Sequence, residues 1–318
     1  MAGNFIISLD FELHWGVSDV WHLEDRLDYF NETRKSIPVV LELFVTYEIH
    51  ATWATVGYLF AKDKKQLRSF FPQELPNYIN RKLSSYTLFD LNKIGTNETD
   101  DPYHFAPSLI ELILKTPHQE LGTHTFSHYY CNEEGQTVEQ FDLDLKAAQA
   151  IAKQNFGITL QSLVFPRNQL NSNYLVAAKQ NGIRVVRSNP DVWFWKMKNK
   201  SIGVIRAFDT LLPISKTLTF GNEFYNSNNC VVLLPASRFL RPYSQNEKHL
   251  QLIKVRRIKR EMLYAAVNKR NYHLWWHPHN FGYSTAENMV MLTVILEYYK
   301  LLNTKYDFLS KSMIEMDI

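Results

Sequence analysis

The regular alternation of buried strands and amphipathic helices is the feature that most limits the folds this sequence can adopt. Short apolar runs with the composition of strands recur along the chain, separated by segments with helical periodicity. The predicted strands span residues 5–9, 50–57, 118–122, 159–165, 183–186, 229–235 and 272–277. A strand, a helix and a second strand within about fifty residues indicate a parallel crossover. We therefore expect an α/β barrel with its chemistry at one face. A doubly wound open sheet remains the alternative, because alternation neither counts nor closes the strands.

The chain has 318 residues, of which 45% are apolar, so it can form one large α/β domain or two small ones. Residues 62–105 interrupt the alternation because they are polar, contain prolines and show little sustained periodicity. This stretch is too short for a core of its own, so we expect an insertion there. We predict a single domain over residues 1–318.

Charge and cysteine content exclude several classes of protein. The net charge is +3, so composition gives no support to nucleic-acid binding. The two cysteines, Cys131 and Cys230, cannot form a disulfide scaffold and are expected to be reduced. No run of eighteen apolar residues occurs, and no basic, apolar leader precedes the first strand. We therefore expect a cytoplasmic protein without a transmembrane segment.

Two histidines four residues apart, His124 and His128, directly follow the predicted strand 118–122. On a helical turn, residues at this spacing share a face, and neutral imidazole is the commonest ligand for zinc and similar ions. Because the chain has eleven histidines, the spacing alone leaves coincidence as an equal alternative. A catalytic metal site usually adds a third protein ligand, often acidic, and an open position for water.

The strand that begins at Phe5 delivers two carboxylates, Asp10 and Glu12, at its carboxyl end. Because side chains alternate along a strand, both acids lie on the same side. Ionised carboxylates are seldom buried without partners, so acids directly behind a buried strand favour a chemical site over a solvated loop. The sequence therefore predicts one metal ion held by an acid together with His124 and His128.

These motifs resemble those of the polysaccharide deacetylases, carbohydrate esterase family 4, which share the NodB-type domain. His124-Thr-Phe-Ser-His128 matches the second family motif, His-Ser/Thr-x-x-His, in full, and Asp10-Phe-Glu12 resembles the Asp-x-Asp/Glu variant of the first. The resemblance implies a distorted (β/α) barrel of about seven strands, with residues 195–270 as a second insertion. It also implies that Asp10 is the general base and that Glu12, His124 and His128 bind the metal, although the longer glutamate leaves the division between the two acids open.

Two further segments resemble family motifs that complete the catalytic machinery. Pro166-Arg167 lies where the family has an arginine that keeps the aspartate base ionised, which implies an ion pair between Arg167 and Asp10. A surface cation is the alternative for this arginine. Leu274-Trp-Trp-His277 resembles the fifth motif and makes His277 the candidate general acid, with a buried structural histidine as the alternative. His279 lies further into the loop and is a candidate for substrate contact.

The remaining candidates concern substrate binding. Asn189–Trp195 loosely resembles the fourth family motif, in which Asp191 would orient the catalytic histidine and Trp193 would pack over the acetyl group. A plain turn after Pro190 is the alternative. Arg238 and Arg241 follow a predicted strand, and their spacing suits a phosphate or carboxylate of the substrate.

A basic run accompanies the helical stripe between residues 252 and 265. Its members are Lys254, Arg256, Arg257, Lys259 and Arg260. Such a run is usually a solvated helix face, and contact with anionic lipid headgroups or a nucleotide is the alternative.

Residues and resemblance together predict a metal-dependent hydrolase that removes the N-acetyl group from a sugar. Zinc is the first expectation for the metal, and cobalt, nickel, manganese or iron would also fit mixed nitrogen and oxygen ligands. A backbone N–H near Tyr129 is a candidate for stabilising the oxyanion. The expected substrate is an intracellular precursor of a surface polysaccharide, linked to a lipid or a nucleotide, with Arg238 and Arg241 on its phosphates. The alternatives are hydrolysis of another non-peptide C–N bond, as in allantoinase-like relatives, and a non-catalytic carbohydrate-binding protein on the same scaffold.

Overall fold

Strands from both halves of the chain form a single sheet in the computed structural model, and all but one of the pairings between the strands named below are parallel. The structure describes residues 2–90, 92–190, 192–196, 205, 209, 217–221, 225–226 and 231–317. In chain order the strands are β1 (Asn4–Phe11), β2 (Ala51–Thr55), β3 (Gln119–Thr123), β4 (Ser162–Leu163), β5 (Val185–Ser188), β6 (Tyr225–Asn226), β7 (Val232–Pro235), β8 (Arg238–Phe239), β9 (Tyr272–Trp276) and β10 (Leu309–Lys311).

Two short strands close this sheet into a distorted barrel. The hydrogen-bonded order is β6-β7-β5-β4-β3-β2-β1-β9-β8, and only Ala236 and Ser237 separate β7 from β8 in sequence. The N–H of Ala236 donates to the carbonyl of Ser188, and the N–H of Ser237 donates to that of His273, at 2.8 Å each. Residues 232–239 therefore pair first with β5 and then with β9, so the sheet returns on itself. The predicted α/β barrel is confirmed; β1 to β5, the β7–β8 segment and β9 surround its interior.

The two regions predicted as insertions differ in structure. Within residues 195–270, β7 and β8 belong to the barrel wall. Residues 62–105 pack against the loop that follows β1: Trp15 Nε1 donates to the carbonyl of His104 at 3.0 Å, and His14 Nδ1 lies 2.8 Å from His104 Nε2. The assignment of one domain to residues 1–318 stays a prediction.

Helices surround the barrel, and their boundaries follow some of the expected signals. Thr137 and Gln140 form a capping box, in which they exchange side-chain and backbone hydrogen bonds. Ser284, which precedes the last helix, has a left-handed backbone with φ of 50° and makes no side-chain capping bond. The helices span Leu27–Thr46, Lys64–Ser69, Thr87–Asp90, Pro107–Lys115, Val138–Phe156, Leu175–Gln180, Trp193–Lys196, Gln251–Val267 and Thr285–Tyr306. In the part of the chain that the structure describes, none of them has both the length and the apolar character needed to cross a bilayer.

Strand β1 shows how the alternation of side chains separates the apolar core from the polar interior. All eight of its residues are buried. The residues that join the main apolar core are Phe5, Ile7, Leu9 and Phe11. Each large apolar side chain buried in this way stabilises the fold by about 1.5–3 kcal/mol. The alternate residues include Ile6, which joins a second apolar cluster, and then Ser8 and Asp10, which are polar and buried. The interior therefore becomes polar toward the carboxyl ends of the strands, where Glu12 follows.

Candidate functional site

Glu12, His124 and His128 form a buried cluster at the carboxyl ends of β1 and β3. Glu12 Oε2 lies 3.3 Å from His124 Nε2 and 3.1 Å from His128 Nε2. The candidate ligand atoms all lie within 4.8 Å of one another. Among the described residues, no other group of three or more His, Cys, Asp or Glu side chains meets this condition. The structure thus brings together the three residues that the sequence proposed as metal ligands.

Contacts of both Nδ1 atoms with groups outside the cluster orient the two imidazoles so that their Nε2 atoms face Glu12. His124 Nδ1 donates to the carbonyl of Val164 at 2.8 Å, which leaves the lone pair on Nε2. This Nε2 is buried and has no hydrogen-bond partner. His128 Nδ1 lies 3.0 Å from the Tyr130 hydroxyl, and its Nε2 faces the same Glu12 oxygen at 3.1 Å. The unpartnered, buried lone pair of His124 beside a carboxylate and a second imidazole is satisfied by a divalent cation, so these residues fit a metal.

A loop, and not the expected helical turn, brings the two histidines together. Residues 124–128 continue from β3 without helical structure, so the sequence argument from a helical face is wrong. Thr125 and His128 both have left-handed backbones, with φ of 64° and 60°. The N–H of Tyr129, proposed as an oxyanion donor, instead donates to Thr125 Oγ1 at 2.7 Å. It serves to hold the loop.

Asp144, on the helix Val138–Phe156, holds the loop of residues 124–128 through hydrogen bonds. Its carboxylate accepts the N–H of Phe126 at 2.7 Å and the hydroxyl of Ser127 at 2.5 Å. Burial raises the pKa of Asp144 to about 7, although the hydrogen bonds from Ser127 and Phe126 act in the opposite direction. The loop can approach the residues after β2 only because position 57 is a glycine, since a Cβ there would lie 2.7 Å from Phe126 Cα.

Asp10 is paired with Arg187 of β5, and the predicted ion pair with Arg167 is wrong. Arg187 Nη1 donates to Asp10 Oδ1 at 2.6 Å and Nη2 donates to Oδ2 at 2.8 Å. Arg187 also donates to Ser8 Oγ and Asn168 Oδ1, at 3.0 Å each. Burial is the largest single influence and works against ionisation of Asp10, but the charge of Arg187, the nearby histidines and the Arg187 hydrogen bonds together hold the pKa of Asp10 below its usual value.

Arg167 is directed toward Asp19 and Tyr130. Its Nη2 donates to Asp19 Oδ1 at 2.6 Å, and its guanidinium lies over the Tyr130 ring, 4.6 Å from the ring centre. The physical reason is local: Arg167 and Asn168 both have left-handed backbones, with φ of 52° and 53°, which turn the chain after β4. Arg167 therefore lies against the Tyr130 ring, whose hydroxyl contacts His128, and does not pair with Asp10.

His277 and His279 follow β9 and approach both carboxylates. His277 Nε2 lies 3.7 Å from Asp10 Oδ2 and 3.8 Å from Glu12 Oε1, and its side chain is 26% exposed. His279 is buried beside it with ring centres 5.0 Å apart, and its Nδ1 lies 3.7 Å from Glu12 Oε1 without a hydrogen-bond partner. Burial lowers the pKa of His279 to about 3, so this imidazole is neutral. Glu12 thus directs one oxygen to His124 and His128 and the other to His277 and His279.

The two arginines proposed to bind a phosphate are compensated by carboxylates of the protein. Arg238 is buried and donates to both oxygens of Glu261, at 2.7 and 2.6 Å, and it also pairs with Asp209. Arg241 pairs with Glu247. Since both guanidinium charges already face carboxylates, the geometry does not favour the predicted phosphate contact.

The fourth resembling motif is only partly described. Asp191 lies outside the described residues. Trp193 begins the short helix Trp193–Lys196 and is 57% exposed. Packing of Trp193 over an acetyl group therefore stays a prediction.

A cavity of about 270 Å³ lies beside His277, at the carboxyl ends of β8 and β9. Apolar and aromatic side chains contribute much of its wall: Pro190, Trp195, Leu218, Phe239 and Trp275. Arg187, the partner of Asp10, lies with its guanidinium over the Trp275 ring, 4.4 Å from the ring centre. Aromatic faces next to a few polar groups are typical of a ligand cleft, and they suit the apolar faces of a sugar ring.

Sequence reasoning missed Arg187, Tyr130 and Asp144. Arg187 carried a usable signal, because a lone arginine directly follows the buried residues Val185 and Val186 at the end of a strand. Tyr130 and Asp144 carried none that a single sequence reveals. Their contacts with His128 and Ser127 depend on how a loop folds back.

Comparison with known proteins adds independent evidence on family and fold. The sequence profile of the family described as polysaccharide deacetylase matches residues 27–186, half of the chain. No curated protein sequence matches the chain.

Among solved structures, a protein assigned as a polysaccharide deacetylase from Mycobacterium smegmatis is similar, with 12% identity, a TM-score of 0.63, and 99% of this chain and 89% of that chain covered. A second protein with this assignment, from Pseudomonas aeruginosa PAO1, has 10% identity and a TM-score of 0.54, over 98% and 87% of the two chains. The 4-alpha-glucanotransferase of Thermococcus litoralis has 12% identity and a TM-score of 0.56, over 99% of this chain and 40% of its own. Identities this low show a shared fold alone.

The match of the family profile is the evidence that goes beyond fold. It covers the second motif, His124-Thr-Phe-Ser-His128, which the structure places around Glu12. The resemblance seen in the sequence is therefore confirmed, and the chain belongs to the polysaccharide deacetylase family.

Proposed function

We propose that this protein is a metal-dependent hydrolase that removes the acetyl group from an N-acetylated sugar. The observation that carries the proposal is the position of Glu12 Oε2, which faces the Nε2 atoms of both His124 and His128. Asp10 and His277, the groups needed for proton transfer, lie beside this cluster. Membership of the polysaccharide deacetylase family supports a carbohydrate deacetylase.

Glu12, His124 and His128 would hold the metal, and Asp10 would serve as the base. When bound, a divalent ion of this kind polarises an amide carbonyl and lowers the pKa of water to roughly 7. Two oxygens of Asp10 are held by Arg187, so the carboxylate is both oriented and kept ionised. The division of roles that the sequence left open is thus supported by geometry: Glu12 faces the metal histidines, whereas Asp10 faces Arg187 and His277.

His277 would donate the proton that the leaving amine needs. It is the most exposed of the candidate catalytic groups near Asp10 and Glu12, and it borders the aromatic cavity. A substrate in that cavity would therefore place its amide nitrogen next to this imidazole. General acid catalysis of this type contributes about 10²- to 10⁴-fold to the rate. His279 is buried against His277 and Glu12, so we propose that it positions these two side chains and does not contact the substrate.

For the substrate, we propose an N-acetylated amino sugar that is part of a lipid-linked or nucleotide-linked precursor, handled in the cytoplasm with zinc as the metal. The aromatic wall of the cavity supports recognition of a sugar ring. Arg238 and Arg241 also line this cavity, but their charges face Glu261 and Glu247, so a carrier phosphate would compete with these ion pairs.

Acetate release is the direct test of this function. The metal-free protein would be reloaded with zinc, cobalt or manganese and incubated with lipid-linked, nucleotide-linked and polymeric N-acetyl sugars. We expect acetate from a precursor, and loss of at least 100-fold activity in Asp10→Asn, while Asp142→Asn on a surface helix serves as the matched control. Turnover of polymers alone would overturn the precursor, and hydrolysis of a cyclic ureide without acetate from any sugar would overturn the deacetylase. Sugar binding with no hydrolysis in the metal-loaded parent protein would instead favour a non-catalytic binder.

A further inference from the structure

The outer face of the helix Gln251–Val267 consists entirely of large apolar residues and arginines. Five of its exposed side chains are apolar: Leu252 at 66%, Ile253 at 42%, Leu263 at 36%, Tyr264 at 46% and Val267 at 52% exposure. Arg256 and Arg260 are the other two exposed residues of this helix. We call these seven residues the outer stripe.

Helical geometry places the outer stripe on one side of the helix. At 3.6 residues per turn, the seven positions fall within an arc of about 120°. An ordinary solvated face at such positions would carry glutamate, lysine and glutamine. Here the exposed positions carry five apolar side chains and two arginines, so the stripe combines apolar surface with positive charge.

The helix has one acidic residue, and it faces the protein. Glu261 is 1% exposed and accepts two hydrogen bonds from Arg238. Arg257 and Lys254 are also buried and lie next to Asp209 and Glu247. The charges of the inner face are therefore compensated within the protein, whereas the only charged residues of the outer stripe are the two arginines.

We propose that the outer stripe docks the protein on the surface of an anionic lipid bilayer. Apolar side chains that enter the headgroup region, together with arginines at the same depth, are the features that hold an interfacial helix on such a surface. The inference goes beyond the proposed function, because it concerns where the protein sits and requires no hydrolysis.

A second copy of the chain fits this surface less well than a bilayer. A two-fold interface pairs a patch with itself, so Arg256 and Arg260 of one copy would face the same arginines of the other. The stripe has no exposed acid on its own helix to compensate them. The anionic headgroups of a bilayer would neutralise the charges of both arginines.

The location of the stripe connects it with the cavity. The helix Gln251–Val267 is the connection between β8 and β9, and the cavity lies at the carboxyl ends of these same strands, where Phe239, Trp275 and His277 form part of its wall. Docking through the outer stripe would therefore bring the side of the barrel formed by β8 and β9, where the cavity lies, close to the lipid surface.

Vesicle flotation with the full chain tests the proposal. The vesicles are phosphatidylcholine alone or phosphatidylcholine with roughly one third phosphatidylglycerol. We expect flotation with the anionic vesicles only, weakened by added salt. Arg256→Gln with Arg260→Gln should reduce binding roughly 30-fold. Leu252→Gln with Val267→Gln should also reduce flotation, since the apolar contribution is lost.

The control carries the same changes on the neighbouring helix: Val290→Gln with Leu301→Gln, at positions 64% and 56% exposed. This variant should float like the parent. Circular dichroism and thermal unfolding establish that every variant is folded before it is compared. Absence of flotation with anionic vesicles, or equal flotation of the stripe variants, would overturn the proposal. So would a concentration-dependent dimer that the stripe variants abolish, because the stripe would then be an interface between copies.

Discussion

Arg187 donates two parallel hydrogen bonds, of 2.6 and 2.8 Å, to the carboxylate of Asp10. The side chain of Arg187 is 0% exposed and that of Asp10 is 3% exposed. The residues lie on β5 and β1, which are separated by three strands in the sheet, so they meet across the barrel interior. In a buried pair of this kind the removal of one partner leaves an uncompensated charge, which typically costs 3–5 kcal/mol. The pair therefore links the stability of the barrel to the protonation of Asp10, the proposed base.

Replacement of Arg187 by lysine should move the acid limb of the pH profile. Lysine keeps the charge but cannot form the two-pronged contact, so the pKa of Asp10, which Arg187 lowers, should rise. Because the base is active when ionised, the acid limb of kcat/KM against pH should shift to higher pH, with less activity at neutral pH. Arg184→Lys, which alters an exposed pair with Asp317, is the matched control and should leave the profile in place. An unshifted acid limb in Arg187→Lys would show that Asp10 is not the base.

Loss of one histidine ligand should abolish stoichiometric metal binding. His128→Gln removes an Nε2 that lies 3.1 Å from Glu12 Oε2, which leaves two protein ligands. We expect one bound zinc per chain in the parent protein and a drop in affinity of at least 100-fold in the variant, measured by calorimetry and elemental analysis. His50→Gln, at a histidine paired with Glu315 on the surface, should retain the metal. Equal zinc content in both variants would contradict the assignment.

Gly16 should be essential for the position of Glu12. A Cβ at Gly16 would lie 2.0 Å from the carboxyl carbon of Glu12, so Gly16→Ala must displace the carboxylate. We expect weaker metal binding together with a loss of about 1–3 kcal/mol in the free energy of unfolding. Gly157→Ala separates these effects: its φ of 71° strains an alanine, but no atom lies within 4 Å of the new Cβ. That control should lose stability without losing metal, and normal metal affinity in Gly16→Ala would refute the steric argument.

Asp144 should make the folded state less stable as the pH rises. Burial raises the pKa of Asp144 from 3.8 to about 7, so the folded protein binds this proton more tightly than the unfolded chain does. Its stabilising contribution is complete below pH 3.8 and is lost as the pH rises to about 7, in total about 4 kcal/mol. Asp144→Asn should flatten the free energy of unfolding over this range, whereas Asp142→Asn on the same helix should follow the parent. Chemical denaturation at several pH values gives the comparison, and parallel curves for Asp144→Asn and parent would contradict the raised pKa.

The parts of the site that depend on local order along one strand could be predicted from sequence. Asp10 and Glu12 share a side because side chains alternate along β1, and His124 and His128 follow directly from the end of β3. The fold followed from the same kind of information, namely the alternation of strands and helices. Closure by residues 232–239 did not, because a strand that changes partner midway has no signature of its own.

The choice between the two arginines shows why the rest could not be predicted. Arg167 and Arg187 both lie near the ends of apolar segments, and sequence cannot say which of them reaches Asp10. That depends on the left-handed turn at Arg167 and on the curvature that brings β5 opposite β1. Both are properties of the assembled barrel.

The seam formed by residues 232–239 also bears on when the protein becomes competent during synthesis. Asp10 and Arg187 are 177 positions apart in the chain, and contacts of such long range form late in folding. A nascent polypeptide that has emerged only as far as β5 already contains both acids, His124, His128 and Arg187, yet the barrel is still open and His277 has not been translated. We therefore expect hydrolysis to begin only after β9 and His277 have been translated, so that shorter nascent chains are inert.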